Sequence, residues 1–213
     1  MNKVSENNKV TISGEIASDF IFNHELFGEK FYLVYINVPH KSGYMDRLPV
    51  IVSERLMDIK QNLMGLNIIV RGQYRSYNRH DADKNRLILS VFAMEVEILD
   101  ESLESYENNF IYIEGFVVKE PIYRVTPLGR EIADLLIAVN RPYGKSDYIP
   151  CICWGRNAKF ASNFEIGTKC IIQGRIQSRF YNKILNDGSI EERTAYEVSV
   201  NRLKKETVNE IRL

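Results

Sequence analysis

Apolar and polar residues alternate at every second position through most of this chain, the pattern of strands that bury one face. The runs FIYIEGFVV (110–118), EIADLLIAVN (131–140), YIPCICW (148–154), KCIIQGRIQSRFY (169–181) and RTAYEVSV (193–200) are short and rich in β-branched and aromatic residues, and each predicts a strand. Only GRNAKFASNFEIG (155–167) departs from the alternation, and it predicts a short helix closed by Gly167. Asp187-Gly188 marks a turn inside the last connection. Five strands with one helix between the third and fourth is the order of the OB barrel. The isolated Gly174 inside a strong strand suits a strand that bends sharply to close such a barrel.

The pattern occurs twice. At an offset of about 101 residues Gly14 falls on Gly115, Gly28 on Gly129 and Pro49 on Pro150. One residue is inserted later, after which Gly65 falls near Gly167, Gly72 on Gly174 and Ser76 on Ser178. NIIVRGQYRSY (67–77) then lies against KCIIQGRIQSR (169–179). A period of this size duplicates a whole domain, and 213 residues hold two domains comfortably. The expected fold is all-β, with one short helix per domain: two tandem OB-fold, five-stranded Greek-key barrels. The expected boundaries are 1–100 for a first domain, 101–107 for an acidic linker, 108–205 for a second domain and 206–213 for a short tail.

Composition removes several function classes. No apolar run approaches the ~20 residues of a membrane helix, and MNKVSENNKV lacks the apolar core of a signal peptide, so a cytoplasmic location is expected. Cys151, Cys153 and Cys170 lie in apolar strand runs without zinc-knuckle spacing and read as buried reduced thiols. His24, His40 and His80 are scattered through the first copy, and RHDADKN (79–85) reads as the polar tip of a connection rather than a metal cluster. The chain has no P-loop, no dinucleotide fingerprint and no assembled nucleophile and base. No catalysis, cofactor, metal or small-molecule substrate is expected.

Net charge is zero, but its distribution is uneven. Residues 1–100 carry 12 Lys and Arg against 13 Asp and Glu, whereas residues 108–205 carry 15 against 10. An electrostatic footprint belongs to a domain rather than to a chain average, and here it falls on the second copy. Strand parity places Arg175, Gln177, Arg179 and Tyr181 on one outward row of 169–181, with the even positions, Phe180 included, inside. On 148–154 it places Tyr148, Pro150, Ile152 and Trp154 together, opposite the cysteines. A loop with Arg141, Tyr143 and Lys145 connects these strands to 131–140. Interleaved rings and cations suit unpaired nucleic acid, because bases stack on rings and cations neutralise phosphates.

These residues carry a family resemblance. PIYRVTPLGREI (121–132), LLIAVNRPYGKSDYIPCICWGRNAKFA (135–161), GRIQSRFY (174–181) and RTAYEVSV (193–200) resemble the bacterial single-stranded-DNA-binding protein family. The resemblance implies base stacking by Tyr143, Tyr148, Trp154 and Tyr181, and phosphate contacts by Arg124, Arg156 and Arg179. Arg130, Arg141, Lys145, Arg175 and Gln177 complete the candidate polar set. It further implies single-stranded DNA as the partner, a homodimer that brings four barrels together, and a role in replication, recombination or repair. Members of that family usually end in an acidic tip, which KKETVNEIRL does not supply, so a partner-recruiting tail is not expected. In the first copy the stacking positions are Ser42, Arg47, Ser53 and Arg79, so that copy is expected to serve assembly or to extend the path through Arg71, Arg75, Tyr77 and Arg79. A primosome-like assembly factor and an RNA-binding OB module are the alternatives that the residues leave open.

Overall fold

The structure, a computed structural model, describes residues 6–40, 43–81, 84–99, 108–184 and 187–206; the predicted linker 101–107 and most of the tail lie outside them. The first copy supplies β1 (Asn8–Ile16), β2 (Ile21–Leu26), β3 (Glu29–Pro39), β4 (Met45–Ser53), β5 (Asn67–Asp81) and β6 (Lys84–Ile98). The second supplies β7 (Asn109–Val117), β8 (Ile122–Val125), β9 (Glu131–Asn140), β10 (Ser146–Trp154), α1 (Arg156–Ala161), β11 (Lys169–Ile184) and β12 (Ile190–Lys205).

Pairing closes each set into a ring. In the first, β1 pairs with β3 and β5, β3 with β4, and β5 with β6, while β4 meets β6 in parallel. In the second, β7, β9, β10, β12 and β11 repeat these pairings in the same order, again with one parallel step between β10 and β12. This is the predicted OB order. Each ring is filled from the inward residues of its strands: Ile12, Val34, Ile36, Val50 and Val70 in one, and Ile113, Ile137, Ile149, Cys151 and Ile172 in the other. The strand glycines explain why the punctuation repeats. A Cβ on Gly72 or Gly174 would stand 2.1 Å from the Phe92 or Ser199 carbonyl oxygen, where the register shifts and the strand bends.

The structure departs from the sequence reading in three places. Among the described residues α1 is the only α-helix; it is shorter than the predicted 155–167, and the first copy has none. Its residues 54–66 form turns in which the Asp58 and Asn62 side chains accept backbone N–H groups of Lys60 and Met64, competing with helical pairing. Met57 and Leu63 fill the ring end that Ala158, Ala161 and Phe164 fill in the second copy. A second departure is the short edge strands β2 and β8, which add a sixth strand to each ring's flank. The third is Phe180, placed inside by parity but 67% exposed, because β11 and β12 run on beyond the ring as a hairpin.

The copies are joined as a pseudo-twofold pair. β1 lies antiparallel to β7 with Val10 opposite Ile111, its own equivalent, so the local axis passes between them. Buried Asn8 brackets Tyr74, donating to its carbonyl at 2.8 Å and accepting its N–H at 2.9 Å. Asn109 does the same to Ile176 at 2.7 and 2.9 Å. Each hairpin then leans on the other copy: Asp147 accepts the Ser76 N–H at 2.7 Å, and Asp46 accepts the Ser178 N–H at 2.7 Å.

Candidate nucleic-acid interface

Strand β10 sets the main row. Its inward Ile149, Cys151 and Cys153 are buried; on the opposite row Tyr148 and Trp154 are exposed and Pro150 is half-buried, whereas Ile152, expected outside, is buried because its side of the strand is covered there. Tyr148 remains 41% exposed and Trp154 38%, large values for rings that pack against a sheet on one side. The Trp154 indole N–H donates to Ser199 Oγ at 3.3 Å, which fixes that ring edge toward β12. Register places Arg124 of β8 and Trp154 of β10 on either side of Ile132. Six residues separate Tyr148 from Trp154, roughly 20 Å along a strand. The row is therefore an extended track of exposed rings and not a compact pocket.

The loop at the far end of the track presents the third ring. Tyr143 is 92% exposed and sits at φ +64°, within a 3₁₀ turn Pro142–Gly144. A non-glycine residue in that region is uncommon and is maintained by its surroundings. The Arg141 N–H donates to the Lys145 carbonyl at 2.7 Å and closes the loop. The Arg141 side chain pairs with fully buried Asp147 at 3.1 Å and so anchors the loop to the ring. Burial pushes the Asp147 carboxyl up, against the opposing pull of the Ser76 N–H, Arg141 and Arg75. Tyr148, next along, donates its N–H to Ser76 Oγ at 2.8 Å, so the first copy's hairpin holds this exposed ring of the second copy in place.

The predicted cations divide by environment. Arg130, Lys145 and Arg156 are exposed around the track. Arg124 is exposed and pairs with Asp134 at 3.0 Å, a surface pair that water and salt weaken. Arg179 lies over the Tyr181 ring at 5.8 Å and reaches Glu197 at 3.8 Å. Arg175 has a different occupation: it is half-buried and tied to Asp46 of the first copy at 3.1 Å, beside Gln177, which itself donates to Glu197. In the first copy Arg71 is held by Glu95 and Glu97, and Arg75 by Gln73 and the Phe92 ring. Tyr181 stands apart from the β10 track on the β11–β12 hairpin, 37% exposed, and shares a groove with Tyr77 and Arg79. Sequence reasoning passed over the residues that hold this arrangement, namely Asn8, Asp46, Ser76 and their equivalents. The signal was present, since each is a polar residue that recurs in both copies.

The cysteines play no part in the surface. All three are buried free thiols. Burial pushes Cys151 well up, and Cys153 and Cys170 up to about 12. Among the described residues no cluster of His, Cys, Asp and Glu is arranged to hold a metal, and no helix is long and apolar enough to cross a membrane.

Comparison with known proteins agrees with this fold. Residues 108–205 match the model of the single-strand binding protein family. Single-stranded DNA-binding protein 3 of Listeria innocua is 34% identical over 87 residues, which are 38% of this chain and 53% of that protein. Single-stranded DNA-binding protein A of Bacillus subtilis is 34% identical over 80 residues, 34% of this chain and 46% of that protein. The chain thus spans about half the length of the curated relatives it matches. The wild-type single-stranded DNA binding protein from Thermus aquaticus superposes with a TM-score of 0.69 at 20% identity, over 94% of this chain and 93% of that one, and it shares the fold across both copies. It is residues 108–205, a little under half of the chain, that resemble the single-strand binding protein family.

Proposed function

We propose that this protein binds single-stranded DNA without catalysis and with little sequence preference, in replication, recombination or repair. The observation that carries the reading is the β10 track, where Trp154 and Tyr148 offer ring faces along an extended line with Tyr143 at its end. Stacking of this kind accepts any base. In this reading Tyr143, Tyr148, Trp154 and Tyr181 take bases, while Arg124, Arg130, Lys145, Arg156 and Arg179 meet phosphates. Arg141, Arg175 and Gln177 act one step back, by positioning the loop and the hairpin that carry them. The protein works in the cytoplasm as two OB domains joined by residues 101–107, and two chains associate to bring four such domains together.

Trp154 is the sole tryptophan in the sequence, so its fluorescence reports this site alone. Titration with oligo-dT is expected to quench it, with affinity falling as salt rises because about 0.7 counterions are released per neutralised phosphate. Binding without quenching, or equal affinity at high and low salt, would overturn the stacking track.

A further inference from the structure

The two hairpins enclose a groove of about 580 Å³ between the copies. It falls in the size range of ligand sites. Its walls carry four tyrosines: Tyr35 and Tyr77 from the first copy, Tyr181 and Tyr196 from the second. Tyr77 is 47% exposed, and Tyr35 has the Arg47 guanidinium 5.0 Å from its ring centroid. Arg79, Arg86 and Arg193 also line it, with Glu191 and Glu192. Glu191 is occupied by Arg193 and, at 3.8 Å, by Arg86.

The pseudo-symmetry gives the groove a pattern. On the first hairpin the outward residues are Tyr77 then Arg79; on the second the equivalent positions are Arg179 then Tyr181. Ring and cation have exchanged places, so each hairpin presents one of each. The first copy lacks rings at the positions equivalent to the β10 track, yet it has Tyr35 and Tyr77 here. The groove also joins the track directly, since Pro150, between Tyr148 and Ile152 on the outward row of β10, is part of its wall along with Tyr181.

We propose that this groove is a second base-binding segment, taking nucleotides of the same single strand as it leaves the β10 track, with Tyr35 and Tyr77 of the first copy as its stacking residues. The proposal rests on the function proposed above and assigns the first copy a direct part in it. The groove opens onto the track at Pro150, between Trp154 and Tyr148, and the strand passes Tyr181 as it enters. A bound strand therefore crosses from one copy to the other within a single chain, and affinity grows with oligonucleotide length until the groove is filled.

The test uses the full chain with oligo-dT of about 8 nucleotides, within the reach of one OB unit, and about 30, enough for two. For Tyr77→Leu and Tyr35→Leu we expect affinity for the short oligomer within about twofold of the parent and affinity for the long one reduced roughly 10-fold or more, with Tyr77→Phe restoring it. Photocrosslinking of the unsubstituted chain to a long oligomer containing 5-iodo-deoxyuridine is expected to label Tyr35 or Tyr77, an observation independent of how the variants fold. Parental affinity of both Leu variants for the long oligomer, with crosslinks confined to the second copy, would overturn the groove and leave the track standing. A short oligomer that neither binds nor quenches Trp154 would remove the underlying reading and the groove with it.

Discussion

At the scale of single residues, two kinds of aromatic and sulfur side chain share β10 and have opposite fates. Trp154 faces water with its indole N–H attached to Ser199. If Trp154 stacks a base as proposed, Trp154→Ala is expected to lower oligo-dT affinity roughly 5- to 150-fold, from about 1–3 kcal/mol per stacked base. Trp154→Phe keeps a ring without the hydrogen bond and is expected to lose less; fluorescence anisotropy of labelled DNA measures both. One position away, Cys153 points inward. Its thiol is pushed from the ordinary 9.0 up to about 12, as is that of Cys170, in each case by burial. A group whose folded-state value is raised contributes stability that is complete below pH 9 and is lost as pH climbs toward 12. The three thiols are expected to resist iodoacetamide at pH 8 in the folded protein and to react together in denaturant. Modification of the native protein at the unfolded rate would contradict that burial.

At the scale of elements, the copies are held together by strand pairing and by polar side chains placed twice. Asn8 satisfies both backbone groups of Tyr74, and Asn109 both of Ile176. Removing either amide leaves a donor and an acceptor without partners, and a buried unsatisfied group costs about 1–3 kcal/mol. Asn8 is the more buried of the two. Asn8→Ala is therefore expected to destabilise by about 2–4 kcal/mol, and Asn109→Ala by less, in urea unfolding followed by circular dichroism. Equal, negligible effects would show that β1 and β7 hold the copies without them. The hairpins behave differently from the rings. Beyond Ser178 and Ser76 they leave the barrel, so inside and outside lose their meaning, and Phe180, Ile184 and Ile190 emerge into solvent.

At the scale of the molecule, charge and architecture work together. The +5 of residues 108–205 lies on the copy that carries the ring track, although Arg175 and Arg141 spend theirs on Asp46 and Asp147. The salt dependence of oligo-dT binding measures how many cations remain for phosphates. With about 0.7 counterions per phosphate, the five exposed cations proposed to meet phosphates predict a log–log slope of about −3 to −4. A slope near zero would place the binding energy elsewhere. Charge-neutral replacement of Arg156 and Lys145 is expected to lower the slope without changing base preference, because phosphate contacts carry no sequence information.

The sequence by itself determined the OB order, the repeat and most of the outward positions, since each follows from local periodicity and from glycines where no Cβ fits; Ile152, buried on its outward row, is an exception. The exposure of Tyr148 and Trp154 was legible for the same reason, since a short, regular strand leaves each residue only two faces, whereas Arg124 was reached through the family resemblance. Tertiary structure alone decided what those residues meet. Whether an arginine is available to a phosphate depends on a carboxylate 129 positions away, as Arg175 and Asp46 show, and no local pattern encodes that distance. The missing helix of the first copy, where Asp58 and Asn62 capture the backbone, and the exposure of Phe180 on a hairpin that outruns its ring have the same origin. So has the groove: its four tyrosines come from strands of both copies, and only the pseudo-twofold docking of β1 on β7 brings the two hairpins together around it.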